Sequence, residues 1–300
     1  MLTAGRRDAR IEFMSFKLKT PGEIAAMRQA GIAVAVTLRA MRDAIVPGKT
    51  TTLDLDEIAG ESLRKMGARP ALLGYKPSFS NVPYMHNTCI SINNEVIHGV
   101  PNAKRVLHEG DLVSLDMDAE IDGWCADATI TVAVGEVGSD AKRLSQVTRE
   151  ALYKGIEMAQ VGNTMGDVGY AIQRHVERNR MNVVREMVGH GIGRSPHEPG
   201  LDVPNYGRPR KGIKLVEGMT FCIEPMVMLG KREVMHAPGD VWTIVTRDGS
   251  WAAHWEHTVA VTKAGPLILT APPKEGESLP GTETGATETL DVREVAGKEA

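Results

Sequence analysis

Apolar positions recur along the chain with two different periods, and the change of period marks out its elements. Thr20-Pro21-Gly22-Glu23 reads as a helix start: a hydroxyl N-cap, a proline at the first helical position and a glutamate placed for a capping box. Ile24, Met27, Val34, Leu38, Met41 and Ile45 then share one face at 3.6-residue spacing, and Pro47-Gly48 ends the run. A second helix follows, with Leu55, Ile58, Ala59, Ser62 and Met66 on its stripe and Gly67 as its stop. The plan returns later. Leu144, Val147, Ala151, Leu152, Ile156 and Ala159 form one face, and Val168, Ala171, Ile172 and Val176 form the next. Gly48-Lys49-Thr50 and Gly162-Asn163-Thr164 precede the two shorter helices, with Ile58 and Ile172 at equal distances from the glycines, which suggests an internal duplication.

After each helix pair the period drops to two. Leu112–Ile121 and Trp124–Val134 flank Asp122-Gly123, a strong hairpin signal, and Met219–Ile223 and Thr258–Thr262 read as further strands. The fold class is α/β in the broad sense (α+β). Residues 1–15, with Arg6, Arg7 and Arg10 but no apolar core after them, read as a flexible leader in which Met14 is an alternative start. Residues 16–270 read as one domain. From 271 to 300 Pro, Gly, Thr and Glu replace large apolar side chains, as in a disordered tail.

Composition excludes more than it assigns. A chain of 300 residues, 42% hydrophobic and 24% charged, with a net charge of −3, carries no bulk signal for nucleic acid or membranes. The longest apolar stretches fall short of a membrane span. Cys89, Cys125 and Cys222 suit neither a zinc ribbon nor a disulfide framework, so a reducing, cytoplasmic compartment is expected.

The chemistry begins in the hairpin. Strand alternation puts Asp116 and Asp118 on one face, and a two-residue turn brings Asp127 opposite Asp118 and diagonal to Asp116, roughly 7–8 Å away at most. One aspartate in such a strand is ordinarily solvated; three among Val, Leu, Ile and Ala are costly if buried unpaired. His190 lies between glycines in Gly189-His190-Gly191, His197 follows seven residues on, Glu224 ends an apolar strand, and Glu256 precedes a β-rich run. Two Asp, two Glu and one His form an oxygen-rich set suited to two divalent ions, of which Co, Mn, Fe, Zn or Ni are candidates. Bridging carboxylates hold such a pair roughly 3.5 Å apart and activate a shared water.

Five segments in register resemble the type I methionine aminopeptidases, metallopeptidases of the M24, pita-bread family. They are Cys89–Pro101 with His98; Ser114-Leu115-Asp116 with Asp127; Gly189–Arg194 with His197; Phe221–Met226 with Glu224; and Trp255–Thr258 with Glu256. The resemblance runs from about Thr20 to Thr270. It implies a curved antiparallel sheet with pseudo-twofold helix pairs, and removal of N-terminal methionine before a small second residue by a water shared between two metals. It implies that Asp127 and Glu256 bridge the metals, that Asp116 holds one, and that His190 and Glu224 complete the other. Glu224 would also move protons, and His98 and His197 would bind substrate and steady the tetrahedral intermediate. Tyr75, Cys89 and Trp242 match the methionine pocket. Nascent N-termini are the implied partners, with transient ribosome contact open and a monomer expected. Of basic residues for that contact, only the scattered Lys17, Lys19, Arg208, Arg210, Lys211 and Lys214 stand out. The stretch from Tyr75 to Cys89, with Phe79, Pro83 and Tyr84, is longer than the family pattern, as is Gly230–Gly239; Pro196 replaces an aromatic or Met, and the family's zinc-binding N-terminal extension is missing. Two other readings share the fold: an Xaa-Pro aminopeptidase or prolidase, and an inactive binding protein that would be expected to have lost ligands.

Overall fold

The computed structural model describes residues 16–76 and 82–281; Arg6, Arg7, Arg10, Met14 and Phe79 lie outside them. The first half contains α1 (Pro21–Asp43), α2 (Thr52–Lys65), β1 (Arg69–Pro70), β2 (Cys89–Ile92), β3 (Glu95–Ile97), β4 (Leu112–Ile121) and β5 (Trp124–Ala133). The second contains α3 (Ser139–Met158), α4 (Met165–Arg178) and the strands β6 (Asn182–Val183), β7 (Gly189–Gly191), β8 (Glu198–Val203), β9 (Thr220–Ile223) and β10 (Met226–Met228). It closes with β11 (Val234–His236), β12 (Ile244–Thr246), β13 (Ala252–His254), β14 (His257–Thr262) and β15 (Gly265–Ile268).

Local chemistry sets the boundaries. The α1 capping box forms as expected: Thr20 N donates to Glu23 Oε2 and Glu23 N to Thr20 Oγ1. The helix stops at Asp43, short of Ile45, which lies in the following turn. α1 is long and apolar enough to cross a membrane by composition. Here that apolar face, with Val34, Leu38 and Met41, packs on Leu115 and Met117 of β4 and closes a core with Leu55 and Leu63 of α2. Each large aliphatic side chain so buried contributes about 1.5–3 kcal/mol. α3 and α4 do the same in the other half, burying Leu144, Leu152, Val168 and Ile172 against Phe221, Ile223 and Val259.

The duplication is visible in backbone detail. Thr51 with Asp54 and Thr164 with Asp167 form equivalent capping boxes, and each N-cap threonine makes an isolated antiparallel bridge, to Val106 and to Lys214 respectively. Counted from those N-caps, Leu55, Ala59 and Leu63 correspond to Val168, Ile172 and Val176. Ile172 therefore matches Ala59, one residue from the Ile58 that spacing from the glycines suggested. The cause is Thr50, an extra turn residue whose Oγ1 accepts from Val46 N.

Every strand pairing among the described residues is antiparallel, in the orders β1-β4-β2 with β5 also on β4, β13-β10-β6, β11-β12-β3 and β15-β14-β9-β7-β8. This is the curved sheet of a pita-bread fold. Asp122 and Gly123 turn the β4–β5 hairpin with φ of 52° and 76°, the left-handed pair that a two-residue loop demands. The halves meet where β5 faces the segment 254–258. Glu256 N donates to Thr129 O, Asp127 N donates to Thr258 Oγ1, and that hydroxyl donates back to Asp127 O. Residues 271–281, read above as the start of a tail, instead return over α1. Arg28 donates to the carbonyls of Leu269, Ala271 and Pro272 and pairs with Glu277.

Candidate active site

The seam gathers the predicted residues. β4 is apolar on the helix side (Val113, Leu115, Met117, Ala119), which leaves Ser114, Asp116 and Asp118 facing the other way. The register pairs Asp118 with Asp127 and Asp116 with Thr129, as expected from a two-residue turn. Thr129, which the sequence reading passed over, ties the halves together: its hydroxyl lies 2.8 Å from Asp116 Oδ1 and 2.9 Å from Glu256 Oε2. Its signal was present, since it stands directly opposite Asp116.

From the second half, His190 stands on β7, whose glycines admit the neighbouring backbones. Its Nε2 is 3.6 Å from both Asp127 Oδ2 and Glu224 Oε1. These separations are too long for good hydrogen bonds but suit groups arranged around a shared centre. Glu224 sits between β9 and β10, where Pro225 interrupts the run. His254 is buried with Nε2 3.5 Å from Glu224 Oε2. His257 turns away, with Nδ1 2.8 Å from Thr270 Oγ1. One ligand atom each from Asp127, His190, Cys222 and Glu256 lie within 4.8 Å of one another. Cys222 is the member that the sequence reading did not place there. Burial and the nearby Glu256 push its thiol up, so it sits in the wall as a protonated neighbour of Thr258.

The electrostatics point to a cation. Burial and then Asp127 raise the pKa of Asp116, Asp118 and Glu256. Within the predicted ligand set, Asp127 Oδ1 and Glu256 Oε1 are buried without a hydrogen-bond partner. Buried carboxylates crowded together without donors are costly, and a divalent ion supplies what they lack. The donor set therefore fits a metal held by carboxylate oxygens and one imidazole. Burial lowers the pKa of His190, but the nearby carboxylates of Asp127 and Glu224 outweigh it and raise it overall.

His98 and His197 frame the mouth. His98 ends β3 with φ of 59°, and a Cβ on the next residue, Gly99, would strike the carbonyl of Ile90. A non-glycine residue in that conformation persists only where the surroundings hold it. Burial pushes His98 down to about 4 and His197 to about 2, so both are neutral imidazoles near pH 7. The rings of His197 and His190 lie 3.9 Å apart, and Tyr75 stacks on His197 at 5.1 Å. Lys19, counted above among scattered basic residues, is buried in a salt bridge with Glu198 beside His197. On another wall, Cys89 pairs in register with Asp116, and buried Tyr84 lies next to Cys89 and meets Trp242 edge-on at 5.1 Å. Among the described residues of the longer loop, Tyr84 is the aromatic joined to this wall. The extended Gly230–Gly239 stretch supplies β11, which pairs with β12 and braces the turn that carries Trp242. An open groove of about 780 Å³ along α3, lined by Arg149, Tyr153 and Trp255, contains none of the ten residues singled out from sequence.

The pattern of metallopeptidase family M24 matches residues 25–263. A methionine aminopeptidase of Clostridium acetobutylicum is 47% identical over 253 residues, covering 84% of this chain and 98% of the relative. Methionine aminopeptidase 1 of Bacillus subtilis is 43% identical with 84% and 98% covered. The crystal structure of methionine aminopeptidase from Thermotoga maritima superposes with a TM-score of 0.80 at 46% identity, over 85% of this chain and 98% of that one. A prolidase of Pyrococcus horikoshii, at 23% identity and TM-score 0.66, shares the fold alone. The chain belongs to metallopeptidase family M24, on its type I methionine aminopeptidase branch.

Proposed function

We propose that the protein removes the N-terminal methionine from nascent proteins and peptides whose second residue is small, by metal-assisted hydrolysis. The observation that carries this reading is the buried set of Asp116, Asp127, His190, Glu224 and Glu256, whose unpartnered carboxylate oxygens call for cations. Asp127 and Glu256 come together across the seam and would be the residues shared between two ions; Asp116 would complete one, His190 and Glu224 the other. Bound divalent ions supply Lewis acidity, which polarises the scissile carbonyl and makes water acidic enough to react near neutral pH.

The chain's own groups do the rest. Glu224 takes a proton from the attacking water and returns it to the leaving amine, with His254 beside its second oxygen. Neutral His98 and His197 each offer one N–H to the carbonyl oxygen as charge develops there. The stack of Tyr75 on His197 fixes that ring. Cys89, Tyr84 and Trp242 supply an apolar slot for an unbranched side chain. Norleucine should enter it, since one methylene or its equivalent is worth only about 1–3 kcal/mol of discrimination. The three cysteines are buried and unpaired, which suits a reducing cytoplasm.

The test is hydrolysis by metal-reconstituted protein of Met-Ala-Ser, Ala-Pro-Ser and N-acetyl-Met-Ala-Ser. Methionine released from the first peptide alone is the expected result. Cleavage of the proline peptide alone would transfer the chain to Xaa-Pro substrates, and no cleavage with any of the candidate metals would leave a binding protein.

A further inference from the structure

Asp118 takes no part in the roles above, yet it lies inside the site. It shares the face of β4 with Asp116, stands opposite Asp127, and is 1% exposed. Its backbone carbonyl accepts from Ala71 N, at the root of the loop that carries Tyr75. The charged groups that it senses are Asp127, Asp116 and Glu224, all acceptors like itself, and it in turn acts on the Tyr75 hydroxyl. Its Oδ2 is buried and has no hydrogen-bond partner. A buried acceptor without a donor is expensive to maintain, and nothing in the protein repays it. The missing donor therefore arrives with what the site binds. On the aminopeptidase reading, on which this inference rests, every substrate brings one chemical group that an internal peptide segment lacks: a free terminal amine with more than one N–H.

We propose that Asp118 Oδ2 accepts a hydrogen bond from the substrate's terminal amine, so that Asp118 is a specificity residue that recognises a free N-terminus. The placement supports this: Asp118 stands opposite Asp127 on the face that carries Asp116, and its charge reaches the hydroxyl of Tyr75, whose ring stacks on His197. A site with an acceptor held in place for an N–H rejects the analogue lacking it, because the acceptor is then left unpaired.

The experiment uses the full, metal-loaded chain and calorimetric binding of two ligands, methionine amide and 4-(methylthio)butanamide, which replaces the amine by hydrogen. Cleavage of Met-Ala-Ser by the wild type is checked first; its failure would remove the aminopeptidase reading itself. Asp118→Leu removes the acceptor and replaces it with a larger apolar side chain, and Asp118→Ala serves if that variant does not fold. The expected result is a loss of about 10- to 100-fold in affinity for methionine amide, with the desamino ligand changed less than about twofold and metal per chain unchanged. Equal weakening of both ligands would make Asp118 a wall of the pocket, loss of metal would make it a ligand, and unchanged affinity would make it a bystander. Each of these overturns the proposal.

Discussion

In the first half of the molecule, three site aspartates come from one regular ten-residue ladder. In the second, His190, Glu224 and Glu256 come from a three-residue strand, a gap between strands and a strand end. The shorter helices behind them, α2 and α4, start alike from a threonine N-cap three residues before an aspartate, whereas α1 starts from the Thr20 box and α3 from Gly138 with no side-chain cap. The duplicated frame thus holds its cores alike while its sheet edges diverge. Regular ladder places residues by parity; strand ends place them by where pairing stops. The first half contributes a row of acceptors, and the second contributes the only imidazole of the proposed metal set and its proton carrier.

The largest expected effect tests whether the two sides share the metal equally. Asp127→Ala and Glu256→Ala should each lower kcat/KM by about a thousandfold or more, some 4 kcal/mol, with metal per chain falling in both by atomic absorption. A fully active Asp127→Ala enzyme would end the assignment. Next come the cores. Leu63→Ala in α2 and Ile172→Ala in α4 each remove a fully buried side chain and should cost about 2–5 kcal/mol. Urea titration that showed one of them below 1 kcal/mol would mean that the two helix pairs are not equally committed to the sheet. The caps sharpen the same comparison: Thr51→Ala and Thr164→Ala should each destabilise by about 1 kcal/mol, and a clear inequality would show that one box has taken on another duty.

The smallest effect concerns the strap that the second half lays over the first. The hydrogen bond from Arg28 holds Glu277 down to about 2, against an ordinary value of 4.5. A depressed acid stabilises when ionised, so the clasp is intact above about pH 4.5 and is lost as pH falls through about 2. Amide exchange over 271–281 should remain slow at pH 5 and open near pH 2. Glu277→Gln should open it at every pH, and a strap equally protected in that variant would show that the carbonyl contacts of Arg28 suffice.

Parity and caps were legible in advance. The hairpin register, the grouping of Asp116, Asp118 and Asp127, and the start of α1 follow from two-residue turn geometry and hydroxyl capping, which are local. The second-half residues were legible only through resemblance, because nothing near Glu224 or Glu256 in sequence says that they will meet β5. The inward place of His254 is hidden for the same reason: the carboxylate beside it, Glu224, lies thirty residues earlier. The strap was misread because its composition is that of a free tail, and a single arginine on α1 supplies the anchor that composition does not show.

The contacts that close the seam join residues 123 or more positions apart: Asp127 with Thr258 at a separation of 131, Thr129 with Glu256 at 127 and Thr131 with His254 at 123. Each half can form its own helices and ladder from near neighbours, but these contacts require the chain to close a loop of that length first, at an entropic cost that local structure does not offset. The site is therefore among the last parts of the protein to exist. Until the segment around Glu256 has been synthesised and docked, the aspartates of β4 and β5 lack their partners in the proposed metal set, so ion loading would wait on that segment.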